Sequence, residues 1–155
     1  MFLQKLSLPV ILAILLALLG ACSTTSQTES KASQSPTEST FFDSGIFDQD
    51  LSGKLNQNPE KIVIKPSTPL NINSMPERMD KWLSKIKQEN GSVQLKEYSE
   101  TPTKDMSLLM DMAVKLFDLA QDAMMYSPAK QYDAVVEYDK GSGDVKQITL
   151  LKKLP

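Results

Sequence analysis

Along the middle of the chain, apolar residues recur at the spacings of strands and helices. Residues 61–65 form a short apolar run with β-branched side chains between two prolines, which predicts a strand. Across residues 75–90, apolar side chains including Trp82 fall on one face of a 3.6-residue period. This pattern predicts an amphipathic helix that Gly91 caps at its C-terminus. Residues 93–97 alternate between apolar and polar, as in a half-buried strand.

The segment 103–126 predicts a second, longer helix that is apolar on most of its circumference. Its narrow polar stripe consists of Asp111, Lys115, Asp118 and Asp122. A helix with so wide an apolar surface has to be covered on more than one side. One stripe is expected to face the sheet: Leu109, Ala113, Leu116 and Ala120. The other stripe is either buried core or an interface, and it comprises Met106, Met110, Phe117 and Met124.

Two further strands close the predicted domain. Residues 132–139 alternate clearly, residues 140–143 have the composition of a turn, and residues 145–151 return. The last two strands must therefore be antiparallel, whereas the helix-containing links join parallel strands. We predict an α/β (α+β) two-layer sandwich with element order βαβαββ, a mixed four-stranded sheet and two helices on one face.

The first residues have the pattern of a secretory signal peptide. Lys5 supplies the positive charge, residues 8–19 supply the apolar stretch, and Gly20 and Ala21 provide the small residues of a cleavage site. The apolar stretch is too short for a membrane span. The next residue, Cys22, is the only cysteine in the chain, so it has no internal disulfide partner.

The motif Leu19-Gly20-Ala21-Cys22 resembles the lipobox of bacterial lipoproteins. The resemblance implies cleavage between Ala21 and Cys22, followed by attachment of diacylglyceryl and acyl groups to Cys22. Several acyl chains hold a protein stably at a bilayer, whereas one does so only marginally. Because Ser23 follows the cysteine in place of aspartate, the resemblance implies sorting to the outer membrane, on its periplasmic side. The inner membrane and the cell surface are the alternatives.

Residues 22–59 are expected to form the lipidated N-terminus and a disordered tether. Residues 23–40 are almost wholly polar and cannot bury enough apolar area to offset the entropy of ordering. Within the tether, the cluster 41–47 contains Phe41, Phe42 and Phe47. We expect this cluster to dock on its own domain or on a partner. The predicted organisation is therefore a signal peptide at 1–21, a tether at 22–59 and a globular domain at 60–155.

The composition argues against several functional classes. The chain has 17 basic and 19 acidic residues, and no basic stripe that indicates nucleic-acid binding. It contains no histidine, which excludes histidine-dependent nucleophile activation and imidazole metal ligation. Lipidation would consume the only thiol. Asp111, Asp118 and Asp122 suit a solvated helix face better than a metal site, because Lys115 lies among them. We therefore predict no catalytic residues, no metal and no cofactor.

These observations predict a non-enzymatic envelope lipoprotein that acts as an adaptor or assembly factor. It would bind another envelope protein or its own copy through these residues: Phe41, Phe42, Phe47, Met106, Met110, Phe117 and Met124. One alternative is a carrier of lipid or another apolar ligand, using the methionine-rich segment 106–125. A weaker alternative is peptidoglycan binding, since the predicted topology resembles that of peptidoglycan-binding domains of outer-membrane proteins. Those domains use an aspartate and an arginine in a helix-start motif. Here Arg78 is the only arginine, and the neighbouring Asp80 does not restore that motif.

Overall fold

The computed structural model describes residues 36–100 and 109–154. They form a mixed six-stranded sheet with strand order β1-β2-β6-β5-β3-β4. The strands are β1 (Thr37–Phe41), β2 (Lys61–Pro66), β3 (Val93–Glu97), β4 (Met110–Asp111), β5 (Tyr132–Tyr138) and β6 (Val145–Lys152). The helices are α1 (Gly45–Asn56), α2 (Glu77–Gln88) and α3 (Ala123–Tyr126), and a 3₁₀ helix (Ser127–Gln131) follows α3 directly.

The strand directions give the sheet two chemically different ends. β1, β2, β3 and β5 run in one direction, whereas β4 and β6 run in the other. The starts of β1, β2, β3 and β5 therefore lie at the same end of the sheet as the end of β6, and we call this the basal end. Because α1 and α2 each connect strands of the same direction, both helices return the chain to the basal end.

One face of the sheet forms the hydrophobic core with the helices. Across the central strands, Ile62 pairs with Leu150, which in turn pairs with Ala134. These residues are buried because α1, α2 and the 3₁₀ helix lie over this face. The helices contribute large side chains to the same core: Phe47, Leu51, Leu55, Met79, Trp82, Leu83 and Ile86.

The opposite face of the sheet is dominated by polar and charged side chains. Lys65 Nζ lies 2.9 Å from Glu38 Oε1, and Lys96 Nζ lies 2.8 Å from Glu137 Oε1. Burial raises the pKa of Glu137, but hydrogen bonds from Lys96 and Gln147 outweigh it, so this pKa lies below its ordinary value. A sheet with one face on the core and one face in solvent explains the alternation seen in the sequence.

The predicted mixed α/β class is confirmed, but the sheet has six strands rather than four. The four strands predicted after residue 60 correspond to β2, β3, β5 and β6, and the first predicted helix corresponds to α2. The final antiparallel pair is present as β5 and β6. The structure thus adds two strands and replaces one of the predicted helices.

Part of the segment predicted as a disordered tether is folded. Residues 37–41 form β1, which pairs in parallel with β2, and α1 follows as a helix. Ser44 caps α1, since its side chain accepts a hydrogen bond from the backbone N–H of Ile46 at 3.2 Å. Phe47, Leu51 and Leu55 recur every four residues along α1 and are buried, which explains why this helix docks on the sheet.

The predicted helix at 103–126 was wrong in the part that the structure describes. Residues 110–111 form the short edge strand β4, residues 112–122 run as an irregular strap, and only residues 123–126 are α-helical. The polar stripe of Asp111, Lys115, Asp118 and Asp122 therefore does not exist as a helix face. The strap is fixed by tertiary contacts that override the helical propensity of its methionine, leucine and alanine residues.

The end of α2 depends on Asn90 and Gly91. The backbone N–H of Gly91 donates to the carbonyl of Ile86 at 2.8 Å, and that of Asn90 donates to Lys87 at 3.1 Å, as in a Schellman motif. Asn90, not the predicted Gly91, has the positive φ, at 59°. Gly91 is needed for space, because a Cβ atom there would lie 2.6 Å from Ile86 Cγ2 and 2.8 Å from the Tyr132 carbonyl oxygen.

Candidate interaction surfaces

Three of the predicted site residues lie outside the described part of the chain. They are Ala21 and Cys22 at the expected processing site, and Met106 in the methionine-rich segment. Lipidation of Cys22 therefore stays a prediction from the resemblance of residues 19–22 to a lipobox. The remaining predicted residues can be assigned to buried or exposed positions.

The phenylalanine cluster packs largely on its own domain. Phe41 and Phe47 are buried, and their rings meet edge to face at a centroid distance of 4.8 Å. The ring centroid of Phe42 lies 6.4 Å from that of Phe47, and Phe42 is 38% exposed. Of the three phenylalanines, only Phe42 thus offers a surface to a partner.

The segment 109–124 exposes several large apolar side chains. Among the predicted residues, Met110 and Met124 are exposed, whereas Phe117 is only partly so and packs against the core. Leu109 and Leu116 were expected to face the sheet, yet both are exposed. We define the apolar strap surface as these four exposed side chains: Leu109, Met110, Leu116 and Met124.

Buried residues hold this segment in place. Met112 and Leu119 belong to the core, at 7% and 5% exposure. The backbone N–H of Phe117 donates to Ser84 Oγ at 3.1 Å, and Gln88 Nε2 donates to the Phe117 carbonyl at 2.7 Å. Because Ser84 and Gln88 are on α2, the strap is bound to the helix layer by its backbone as well as by its buried side chains. Its exposed leucine and methionines are therefore presented from a fixed chain.

An open depression lies next to Met124, between the end of α1 and the 3₁₀ helix. Its volume is about 530 Å³, and its lining is mixed polar and apolar. The lining residues are Asn56, Ala123, Met124, Ser127, Pro128, Lys130 and Gln131. Such a shallow site suits a side chain of a partner better than an enclosed acyl chain, because ligand pockets bury most of the ligand surface.

A charged network joins α1 to α2. Asp48 on α1 is buried and receives hydrogen bonds from Arg78 Nη1 and, at 2.8 Å, from Trp82 Nε1. Arg78 Nε also donates to the exposed Asp43 at 3.0 Å. Burial lowers the pKa of Arg78, but Asp43 and Asp48 outweigh it and raise that pKa. Sequence reasoning missed this network, because Asp43 and Asp48 were assigned to the tether.

Tyr126 completes the network from the side of α3. Its ring stacks edge to face on Trp82 at a centroid distance of 4.8 Å. Burial, together with the negative charges of Asp48 and Asp122, raises the pKa of Tyr126 from 10.0 to about 12. The side chain therefore links the strap region to the α1–α2 pair and stays neutral well above physiological pH.

We expect the Tyr126 phenol to titrate late and to make the fold sensitive to alkali. The pKa of tyrosine in an unfolded chain is 10.0, whereas the pKa of Tyr126 in the folded protein is about 12. The contribution of the neutral phenol to the free energy of unfolding is therefore complete below pH 10 and is lost as the pH rises from 10 to 12. Ultraviolet absorbance of phenolate should show a late component that Tyr126→Phe reduces, while Tyr132, whose pKa is also raised by burial, contributes the rest. A late component of unchanged amplitude in Tyr126→Phe would contradict this assignment.

Within the described ranges, no group of three or more His, Cys, Asp or Glu side chains is arranged to hold a metal ion. None of the helices in the same ranges is long and apolar enough to cross a membrane. Comparison of the chain with protein-family models, curated proteins and solved structures gave no match. Functional inference therefore rests on the residues themselves.

Proposed function

We propose that this protein is a non-enzymatic, lipid-anchored envelope adaptor that binds another envelope protein through its apolar strap surface. The lipobox at residues 19–22 supports attachment at the outer membrane, facing the periplasm. The apolar strap surface supports the binding role. Self-association through the same surface is the second form of this proposal.

The observation that carries the binding role is the exposure of large apolar side chains on a fixed segment. Leu116 is 67% exposed and Met124 is 92% exposed, whereas their neighbours Met112 and Leu119 are buried. Four large apolar side chains are exposed within residues 109–124, and a concentration of exposed apolar residues is typical of interaction sites, whereas single scattered ones are not. Methionines add adaptability, because their flexible thioethers fit irregular partner surfaces.

The described geometry favours an adaptor over an apolar-ligand carrier. The carrier alternative uses a helix at 106–125, but in the described part of that segment only residues from 123 onward are α-helical. The depression beside Met124 is open rather than enclosed. The peptidoglycan alternative depends on Arg78, whose guanidinium contacts Asp43 and Asp48 of its own chain.

Charge substitutions on the apolar strap surface test the adaptor. Leu116→Lys and Met124→Lys should each weaken partner binding by about fivefold or more, since a contact residue at an interface centre contributes over about 1 kcal/mol. The readout is chemical crosslinking of the full-length protein in its native envelope. Ile46→Lys is the matched control, because Ile46 on α1 is 67% exposed, as is Leu116.

Thermal melts of the same variants separate binding from folding. All three should melt close to the unsubstituted protein, because surface substitutions change stability by about 0.5 kcal/mol or less. Crosslinks that persist in both Leu116→Lys and Met124→Lys would contradict the proposed surface. Bound lipid in native mass spectrometry of the purified protein would instead favour the carrier.

Cys22→Ala should block lipidation. The substitution removes the acceptor of the acyl chains, leaving a precursor that is not processed or a chain released from membranes. Membrane fractionation after a high-salt wash provides the measurement. A mature-length Cys22→Ala protein that still pellets with outer membranes would show that another contact anchors it.

A further inference from the structure

Lysine and leucine side chains gather at the basal end of the sheet. Lys61 at the start of β2 pairs with Leu151 on β6, and Lys152 pairs with Tyr132 at the start of β5. The backbone N–H of Lys153 donates to the Gln131 carbonyl at 2.8 Å, next to Lys130. We define the basal patch as these six residues: Lys61, Lys130, Leu151, Lys152, Lys153 and Leu154.

The positive charge of the basal patch is available to an external partner. Among the described residues, none of its four lysines forms an ion pair, although several lysines elsewhere do. Lys153 Nζ instead donates to the carbonyls of Glu89 at 3.0 Å and Lys130 at 2.9 Å. These bonds hold Lys153 against the residue that follows α2 and against the 3₁₀ helix.

Acidic residues near the basal patch do not cancel its charge. Glu60 is exposed beside Lys61, but Glu89 is paired with Lys85 at 2.6 Å. Asp133 keeps its negative charge, because the hydrogen bond that it accepts at 2.7 Å comes from the neutral backbone N–H of Ser92. The four lysines nevertheless outnumber Glu60 and Asp133. The basal patch therefore keeps an excess of positive charge.

Exposed leucines accompany these lysines. Leu154 is 93% exposed and Leu151 is 39% exposed. Basic side chains next to exposed apolar ones are complementary to an anionic membrane surface, which has charged headgroups above an apolar layer of acyl chains. Lysines lie near lipid phosphates there, and leucines enter the boundary between headgroups and acyl chains.

The chain enters the folded domain at this same end. β1 begins at Thr37, fifteen positions after Cys22, and its start is at the basal end. Fifteen residue positions cover at most about 50 Å, even in a fully extended chain. An acylated Cys22 would therefore keep the basal patch at a high effective concentration near the bilayer.

We propose that the basal patch docks on anionic phospholipid headgroups and orients the domain against the membrane that holds its lipid anchor. This proposal rests on the anchor in the proposed function. The other end of the sheet carries four acidic residues and the lysines Lys140 and Lys146, and Lys140 is paired with Glu97 at 3.2 Å. The acidic residues are Glu97, Glu100, Asp139 and Asp144, so that end has no excess of positive charge for an anionic surface. Docking would hold the starts of β1, β2 and β5 at the lipid surface.

Lysine labelling on vesicles tests this orientation. The full-length lipidated protein is inserted into vesicles of phosphatidylcholine, with or without phosphatidylglycerol, and its amines are acetylated and located by peptide mass spectrometry. Lys61, Lys130 and Lys152 should be labelled severalfold more slowly on the anionic vesicles. Lys140 and Lys146, at the other end of the sheet, should be labelled equally on both.

A variant in which three lysines of the basal patch are replaced with an uncharged residue tests whether their charge causes the docking. Lys153 should also be labelled more slowly on the anionic vesicles. Replacing Lys61, Lys130 and Lys152 together with Gln should remove this protection of Lys153, because each lysine near an anionic surface contributes about a fivefold change in affinity. Lys146→Gln, on the same strand as Lys152 but at its opposite end, should leave that protection intact.

The outcomes separate the basal patch from the lipid anchor. A protein retained on both kinds of vesicle with equal labelling would overturn docking by the basal patch and leave the anchor standing. A protein that leaves neutral vesicles, yet is held and protected by anionic ones, would overturn the anchor and support the patch. Protection by isolated peptidoglycan in place of anionic vesicles would also overturn lipid docking.

Discussion

Trp82→Ala should lower the free energy of unfolding by about 3–5 kcal/mol, the range for removing a large aromatic side chain from a packed core. Trp82 is 1% exposed, stacks on Tyr126 and donates its indole N–H to Asp48. The substitution therefore leaves a cavity between the helices and removes one donor from a buried carboxylate. Urea unfolding of the full-length protein measures the loss.

Two comparisons make the Trp82 result specific. Trp82→Phe keeps much of the ring volume and loses the hydrogen bond, so it should cost less than Trp82→Ala. Phe42→Ala, at a position 38% exposed, should cost far less than either. If Trp82→Ala and Phe42→Ala had equal unfolding midpoints, Trp82 would not occupy the core position described.

Asp48→Ala should lower the free energy of unfolding by about 3 kcal/mol, which is more than we expect for any other charged residue. The Asp48 side chain is 7% exposed, so its removal leaves Arg78 and the Trp82 indole N–H without their buried acceptor. We place the loss at the lower end of the range for broken buried pairs. The reason is that Arg78 is 27% exposed and still contacts Asp43. Chemical denaturation again provides the measurement.

Asp43→Ala is the matched control for Asp48→Ala. Both carboxylates contact Arg78, but Asp43 is 64% exposed, and exposed ion pairs contribute at most about 1 kcal/mol. Asp48→Asn should fall between the two, because an amide oxygen still accepts from Trp82. Similar losses for Asp43→Ala and Asp48→Ala would show that the network lacks a buried centre.

The sequence was most informative where periodicity and burial agreed. The strands at 93–97 and 132–139 alternate in the sequence, and β5 alternates between buried and half-buried positions in the structure. The apolar face of α2 was predicted for the same reason, and Trp82, Leu83 and Ile86 are buried as its spacing required. An element that is buried on one side only has apolar residues at regular spacing, and this spacing is visible in the sequence.

β1 and α1 were missed because their apolar signals are sparse. β1 is an edge strand whose sequence is mostly polar, and in α1 only Phe47, Leu51 and Leu55 mark the buried stripe among glycines and polar residues. That stripe, with Ser44 as a helix cap, was the signal that identifies the helix. The polar composition of the preceding residues hid it.

The strap was mistaken for a helix because local propensity was the stronger signal. In the structure, Met112 and Leu119 face the core, and the backbone of Phe117 is bonded by Ser84 and Gln88. These contacts come from α2, far away in sequence, so local patterns do not contain them. Leu116 is consequently exposed in the structure, whereas the helical pattern predicted that it contacts the sheet.

The central claim, that the apolar strap surface binds a protein partner, is tested most directly by site-specific photo-crosslinking in intact cells. A photoreactive residue in place of Leu116 should give a discrete adduct with another envelope protein or with a second copy of the chain. The same residue in place of Ile46, equally exposed on α1, should not give that adduct. Absence of an adduct at position 116, or identical adducts at both positions, would contradict the account.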